Sequence, residues 1–311
     1  MISFLEEIVD RFIKKHFQDM ENVAIVLPSK RAVVFFKYYL SKKINKPAFM
    51  PNFFAIEDFI ENLSGLKILD NISLQFKLYQ TYLRYPSKKN ETFADFLKWS
   101  NILIHDFNEI DRNLVDAKSI YQNLTNVKEL ESWGINDWSF ADGNLTKMQI
   151  DYLSFFKGIL EWYNDFNYSL LKKNHAYQGM AYRMAAQKIV NLEINWKKVW
   201  FIGLNALTKS EQFIIDVLKD KNIARIFWDA DNFYLNKNHE AGMFLRQQRK
   251  KWSDVDFQSI GDHLKEKKDV FNIIGCPRNI SQAKVASEII KKIPKADLEN
   301  SKTAIVLGDE K

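Results

Sequence analysis

Asn22–Leu40 reads NVAIVLPSKRAVVFFKYYL, and the way this stretch folds decides the class of the whole chain. Val23 to Leu27 is a continuous apolar run, rich in β-branched residues and too short for a helix, so it predicts a buried strand. Pro28 has no N–H to donate and stops the ladder. Ser29 is a good N-cap, and Val33, Val34, Phe36 and Leu40 follow it at helical spacing. The unit is strand, tight turn, helix. Lys30 and Arg31 fall in the first helical turn, where positive charge opposes the helix dipole at a cost of about 0.3 kcal/mol each. An anion over the turn would reverse that sign, because free N–H groups and two cations converge there. Two solvated surface cations would give the same residues.

Working outward, the residues before this unit read as an amphipathic helix with Leu5, Ile8, Val9, Phe12 and Ile13 on one face. Glu6, Glu7 and Asp10 interrupt it, which is unlike a signal peptide. After the unit, two prolines and a short apolar stretch in NKPAFMPNFFA suggest an edge strand. A helix from Ile56 to Leu63 then ends at Gly65. Between Asn71 and Val190 the sequence offers no convincing strand. It offers helical runs at Leu74–Tyr85, Thr92–Asp106, Asn113–Leu124, Lys147–Leu171 and Tyr177–Val190, with Pro86 ending the first. Trp133, Gly134, Trp138 and Gly143 are expected in a loop, and Trp99, Phe107, Trp162, Tyr163 and Phe166 in helix-on-helix packing.

Strands return at Val199–Ile202 and Ala224–Trp228, separated by a helix that Thr208 caps. His239–Trp252 reads as a strongly basic helix and Ser253–Lys268 as a linker. A strand at Val270–Ile274, a helix at Ser281–Ile293 and a strand at Thr303–Leu307 close the chain. No crossover helix follows that last strand, so truncation is expected. Alternation of strands and helices predicts an α/β class with a parallel sheet and right-handed crossovers, interrupted by an all-helical block.

Composition sets the bounds. The 311 residues suffice for two or more domains, and 24 Phe with 8 Trp speak against wholesale disorder. Lys+Arg 45 against Asp+Glu 39 leaves +6, a basic excess compatible with nucleic acid. The single cysteine, Cys276, leaves no disulfide framework or thiolate zinc site and points to a reducing compartment. With no run of roughly 18 apolar residues, a soluble, cytoplasmic protein without membrane contact is expected.

Catalytic signatures are missing. No G-x-x-x-x-G-K-[ST] loop and no G-x-G-x-x-G fingerprint occurs among the 10 glycines. The strand at Val199 ends in Gly203-Leu204-Asn205 rather than in the acids that hold magnesium. Asp229 and Asp231 follow a strand, but turn capping accounts for them better than a metal site. The five histidines lack metal-ligand spacing, and Cys276 reads as a small hydrophobe rather than a nucleophile. The expectation is no enzyme and no cofactor in these residues.

Several segments together resemble a known family. VAIVLPSKRAVVFFKYYL, AIEDFIENLSGL, ILIHDFNEIDRNLVDA, VWFIGLNALTKSEQ, FWDADNFYL with HEAGMFLR, and SQAKVASEIIKKI with TAIVLGDE occur in family order. The chain resembles the N-terminal, helicase-like region of AddB-type subunits of bacterial AddAB helicase–nucleases, in the Bacteroidetes-like version that belongs to the PD-(D/E)XK nuclease family. The resemblance implies an inactivated RecA-like helicase domain from residues 1–66 and 196–268, an inserted helical subdomain at 67–195, and the beginning of a second RecA-like domain at 269–311. It implies a PD-(D/E)XK nuclease domain beyond Lys311 in the full-length protein. It also implies a non-catalytic module that guides single-stranded or end-containing DNA in double-strand-break repair, beside an A-type helicase–nuclease subunit.

In similar helicases the loop after the second strand contacts the DNA backbone, which places Ser29, Lys30 and Arg31 against phosphate. Ala55 stands where a phosphate-binding Ser or Thr is often found, and Phe53 and Phe54 are candidates for base stacking, though such a pair is more often core. The basic cluster Arg246, Arg249, Lys250 and Lys251 is the second candidate DNA contact. The rival reading is a scaffold whose helical block docks a partner helicase subunit without touching DNA.

Overall fold

A computed structural model describes residues 3–85, 92–126, 147–236, 239–252, 261–262, 264, 271–299 and 303–308. Pro86, the Trp133–Gly143 loop and nearly all of the Ser253–Lys268 linker lie outside the described residues. The chain divides into two compact units, Met1–Leu264 and Lys265–Lys311.

The first unit is an α/β structure on a four-stranded, fully parallel sheet. Its strands are β1 (Val23–Leu27), β2 (Asn52–Ala55), β5 (Lys198–Ile202) and β6 (Ala224–Phe227), in the order β2-β1-β5-β6. The short pair β3 (Lys67–Ile68) and β4 (His175–Ala176) makes a separate parallel sheet. All five residues of β1 are buried, as their apolar run predicts for an inner strand covered on both faces. Because side chains alternate, Val23, Ile25 and Leu27 face one layer and Ala24 and Val26 the other.

The first layer holds α1 (Phe4–His16) and α2 (Lys30–Lys43). There Trp200 of β5 is buried with Phe12 edge-on to its ring at 5.3 Å. The second layer holds α3 (Ile56–Ser64), α8 (Gln178–Lys188), α9 (Lys209–Asp220) and α11 (Met243–Lys251), the last preceded by the short α10 (Asn232–Asn236). The crossover from β1 to β2 therefore runs over one face and that from β5 to β6 over the other. This makes a doubly wound sheet whose strand order reverses between β1 and β5.

A second core is built by α4 (Asn71–Tyr82), α5 (Phe93–Arg112), α6 (Ala117–Thr125) and α7 (Lys147–Leu171) with part of α8. The helix starts are chemically explicit. Asp70 accepts from Ser73 N at 2.9 Å, Thr92 from Asp95 N at 3.2 Å, and Asp116 from Ser119 N at 3.0 Å. Thr208 and Glu211 form a reciprocal capping box at the start of α9. Aromatic rings interlock this core: Tyr82 lies 5.1 Å from Phe96 and 5.0 Å from Trp162. α5 and α8 cross at Gly179, where a Cβ would run into the backbone carbonyl of Asn108.

In the second unit α12 (Asn279–Lys291) and α13 (Lys295–Glu299) are helical, and α12 has no buried residue. The strands expected at 270–274 and 303–307 are not formed where they are described. Residues 271–274 and 303–307 carry no ladder, and Ile273 and Val306 are exposed. Their apolar content is that of strands, but a strand exists only when a neighbour satisfies its backbone, and no such neighbour occurs among the described residues. Among the described residues no helix is long and apolar enough to cross a membrane.

Candidate functional site

Ligands of doubly wound sheets sit beyond the carboxyl ends of the strands, where the strand order reverses. Here that point lies over β1 and β5. After β5 the chain runs Gly203-Leu204-Asn205, with Leu204 buried, and the ring of Phe4 from α1 packs on Gly203, whose own N–H donates to Phe227 O at 2.8 Å. β5 itself ends without an acid, while Asp229 follows the neighbouring β6, its carboxyl held above the ordinary range by desolvation.

After β1 the chain is extended at Ser29, and its Oγ accepts from Ala32 N at 3.2 Å, closing the N-terminus of α2. Lys30 reaches over the sheet edge to Asp58 of α3, with Nζ 3.2 Å from Oδ1, while its side chain stays 76% exposed. An ion pair so exposed contributes well under ~1 kcal/mol, so Lys30 can exchange Asp58 for another anion. Arg31 turns along α2 and lays its guanidinium over the Phe35 ring, 5.8 Å from the centroid.

The second cluster has a different character. Arg246 donates from Nη1 to Tyr234 O at 2.8 Å, fastening α11 to α10. Gly242 sits at that junction, where a Cβ would collide with the Tyr234 carbonyl and the Arg246 guanidinium. Lys251 lies 2.6 Å from Asp216 of α9, whose other oxygen accepts from Trp252 Nε1 at 2.6 Å. Arg249 and Lys250 are exposed. α2 and α11 lie on opposite faces of the sheet, so Lys30–Arg31 and Arg246–Lys251 do not form one patch on one layer. Of the two aromatic candidates, Phe54 packs against Phe59 and Trp196 inside the second layer. Phe53 packs at 6.0 Å on Phe36 and receives Lys37 Nζ over its ring, 4.9 Å from its centroid.

Helical spacing alone does not mark the outward side of α2. Val34, which follows Ser29 at helical spacing as Phe36 and Leu40 do, is 65% exposed, and Phe35, Tyr38, Phe49 and Met50 are exposed with it. Lys42 lies over Tyr38 at 4.3 Å, the third cation–aromatic pairing on this helix. Between α2 and the open edge of β2 runs a groove of about 660 Å³ lined by Val34, Lys37, Tyr38, Met50, Pro51 and Phe53. From Pro28 to Ile56 the chain holds six cations and no carboxylate. Lys43 is taken up by Asp10 and Glu6 of α1, at 2.6 and 3.4 Å. This run of unbroken charge sign was the available signal.

Two acid-bearing sites resolve as structural. Asp231 accepts from Phe233 N at 2.8 Å and from Leu264 N at 3.1 Å, so it caps a turn. Asp111, fully buried in α5, accepts from Tyr163 Oη at 2.5 Å, from Tyr177 Oη and from Arg183 Nε at 2.7 Å. Burial, then the nearby Asp111 carboxylate, holds the Tyr177 phenol well above its ordinary value. Arg183 also donates to Ile110 O and Val115 O at 3.0 and 2.6 Å. Every partner spends its hydrogen bonds inside the fold.

Comparison of the chain with protein-family models and with curated protein sequences finds no match to either.

Proposed function

We propose that this chain is a non-catalytic, RecA-like helicase module that holds single-stranded DNA for a double-strand-break repair nuclease. Its helical block would be an insertion into that domain, residues from 269 the start of a second one, and the partner an A-type helicase–nuclease subunit. The observation that carries the reading is the outward side of α2. A carboxylate-free groove with Lys37, Tyr38 and Phe53 in its wall, flanked along α2 by Arg31 and Lys42, is what sequence-independent single-strand binding requires, since phosphates need counter-charge and bases need flat apolar surface. Lys30 and Arg31 continue that surface to the carboxyl edge of the sheet. The carboxylate-free strand end at Gly203-Leu204-Asn205 supports holding without ATP hydrolysis.

Fluorescence anisotropy of a labelled oligo-dT across a salt series tests this. Single strands release about 0.7 counterion per phosphate contact, so replacing Arg31, Lys37 and Lys42 with Ala should lower the salt slope by about 2. A slope unchanged in that triple variant rejects α2 as the DNA surface.

One observation favours the scaffold reading as a second. On the helical block Ile72 and Phe76 stand one turn apart on α4 and are exposed, with Phe76 stacked on Phe93 at 4.4 Å. Ile72→Ser with Phe76→Ser would then abolish capture of an A-type subunit while leaving the DNA titration untouched.

A further inference from the structure

The helical block carries a second cationic site, formed by residues that take no part in the α2 surface. Lys77, Thr81 and Arg84 follow one another at helical spacing along α4 and its end, and Tyr168 on the last turn of α7 is followed by Lys172 and Lys173 just past its end. The two rows enclose a pocket of about 320 Å³. Four full positive charges line it and no carboxylate does. None of the four is ion-paired among the described residues. The acid one turn before Ser169, Asp165, does not line the pocket and accepts from Tyr85 Oη at 2.9 Å.

Helix dipoles alone do not account for this arrangement. α4 and α7 both end here, and each C-terminus carries roughly half a negative charge. Against four cations that leaves a net charge of about +3 around a concave site, a positive potential that draws an anion in. Field from these residues is already felt nearby. The imidazole of His175 on β4 is held below its usual range, first by desolvation and then by Lys77, Lys67 and Lys173.

The lining also indicates which kind of anion fits. Thr81 and Ser169 spend their hydroxyl protons on the carbonyls of Lys77 and Phe166, at 3.1 and 2.8 Å. Anion binding therefore falls to the three ammonium groups, which act as point charges, and to the planar fork of Arg84, which can take two phosphate oxygens at once. Beside them Tyr168 presents its ring to solvent, 67% exposed. A flat aromatic surface next to paired cations matches a nucleotide unit, with base on the ring and phosphate in the pocket.

We infer that the pocket between α4 and α7 is a phosphodiester site that holds the backbone of a nucleic-acid single strand, with Tyr168 stacking a base. The inference takes its ligand class from the DNA reading above but stands on different residues, so the two can fail separately. The test uses the full chain and a fluorescein-labelled oligo-dT of about 30 nucleotides, long enough to contact both surfaces. Lys77→Ala/Arg84→Ala/Lys172→Ala/Lys173→Ala should lower the salt slope by about 3, at about 0.7 per contact, in addition to the loss from the α2 triple variant. An unchanged slope in the quadruple variant, with the α2 variant still impaired, overturns the pocket and leaves α2 standing. No binding by the unaltered protein at low salt overturns both. Crosslinking of a 5-iodouracil oligonucleotide to the unaltered chain guards against a misfolded variant. The labelled peptide should contain Tyr168, and label confined to other peptides rejects the site.

Discussion

α2 and α11 are both short basic helices, and in the sequence they look alike. In the fold they differ in what their cations face. Arg246 is spent on the carbonyl of Tyr234, and Lys251 is spent on Asp216. On α2, Arg31, Lys37 and Lys42 face the rings of Phe35, Phe53 and Tyr38, and the groove beside them contains no acid. A count of lysines and arginines therefore says little about an interface. What decides, cation by cation, is whether a neighbouring helix supplies the counter-charge, as α3 and α1 do for Lys30 and Lys43 of α2 itself.

The most severe way to probe a committed cation is to remove Arg183, whose partner Asp111 has no access to water. Arg183→Ala leaves a buried carboxylate with only its two tyrosine donors and should cost about 3–5 kcal/mol, read as a lower urea midpoint. Gly242→Ala comes next. A methyl group there must push α10 from α11 and should cost about 1–3 kcal/mol, with loss of the Arg246 contact. Lys251→Ala should cost well under ~1 kcal/mol, because the ion pair with Asp216 is half exposed and Trp252 still holds the carboxylate.

The comparison is sharpened by Arg249→Ala/Lys250→Ala, which should change the DNA salt slope by less than half of what the α2 triple variant does. A larger change would mean that the two exposed cations of α11 suffice and that α2 is not special. The smallest effect concerns His175. Its folded-state value lies below the unfolded one of about 6.5, so its contribution to stability is full above that pH and declines as pH falls below it. Denaturation of His175→Gln between about pH 7 and 5 should show a shallower decline than the parent.

Much of the fold was legible in the residues. The run Val23–Leu27 could only be an inner strand, and Pro28-Ser29 could only turn it into a helix. Thr92 and Thr208 announced their helices through their hydroxyls. By contrast, β3 and β4 have two residues each, too few for any period to show. The chain at 270–274 and 303–307 has strand composition, yet composition cannot supply the partner that makes a ladder. The candidate site was legible only as charge. That Lys30 would meet Asp58, Lys251 Asp216, and Arg183 Asp111 depends on contacts between residues far apart in the chain, which no local pattern encodes.

The buried carboxylate of Asp111 also has a practical side. Its side chain is held from α7, from Tyr177 and from α8, and Ser210 of α9 donates to the carbonyl of the next residue, Arg112, at 2.7 Å. Both hydrophobic cores thus share one polar keystone. Anyone hoping to excise residues 67–195 as an autonomous fragment, or to graft them elsewhere, would carry Asp111 away with Tyr163, Tyr177 and Arg183, but would break the Ser210 bond to Arg112 and uncover the face of α8 where Tyr182, Ala185 and Ala186 pack into the second layer. The block and the sheet should be expressed, swapped and engineered together.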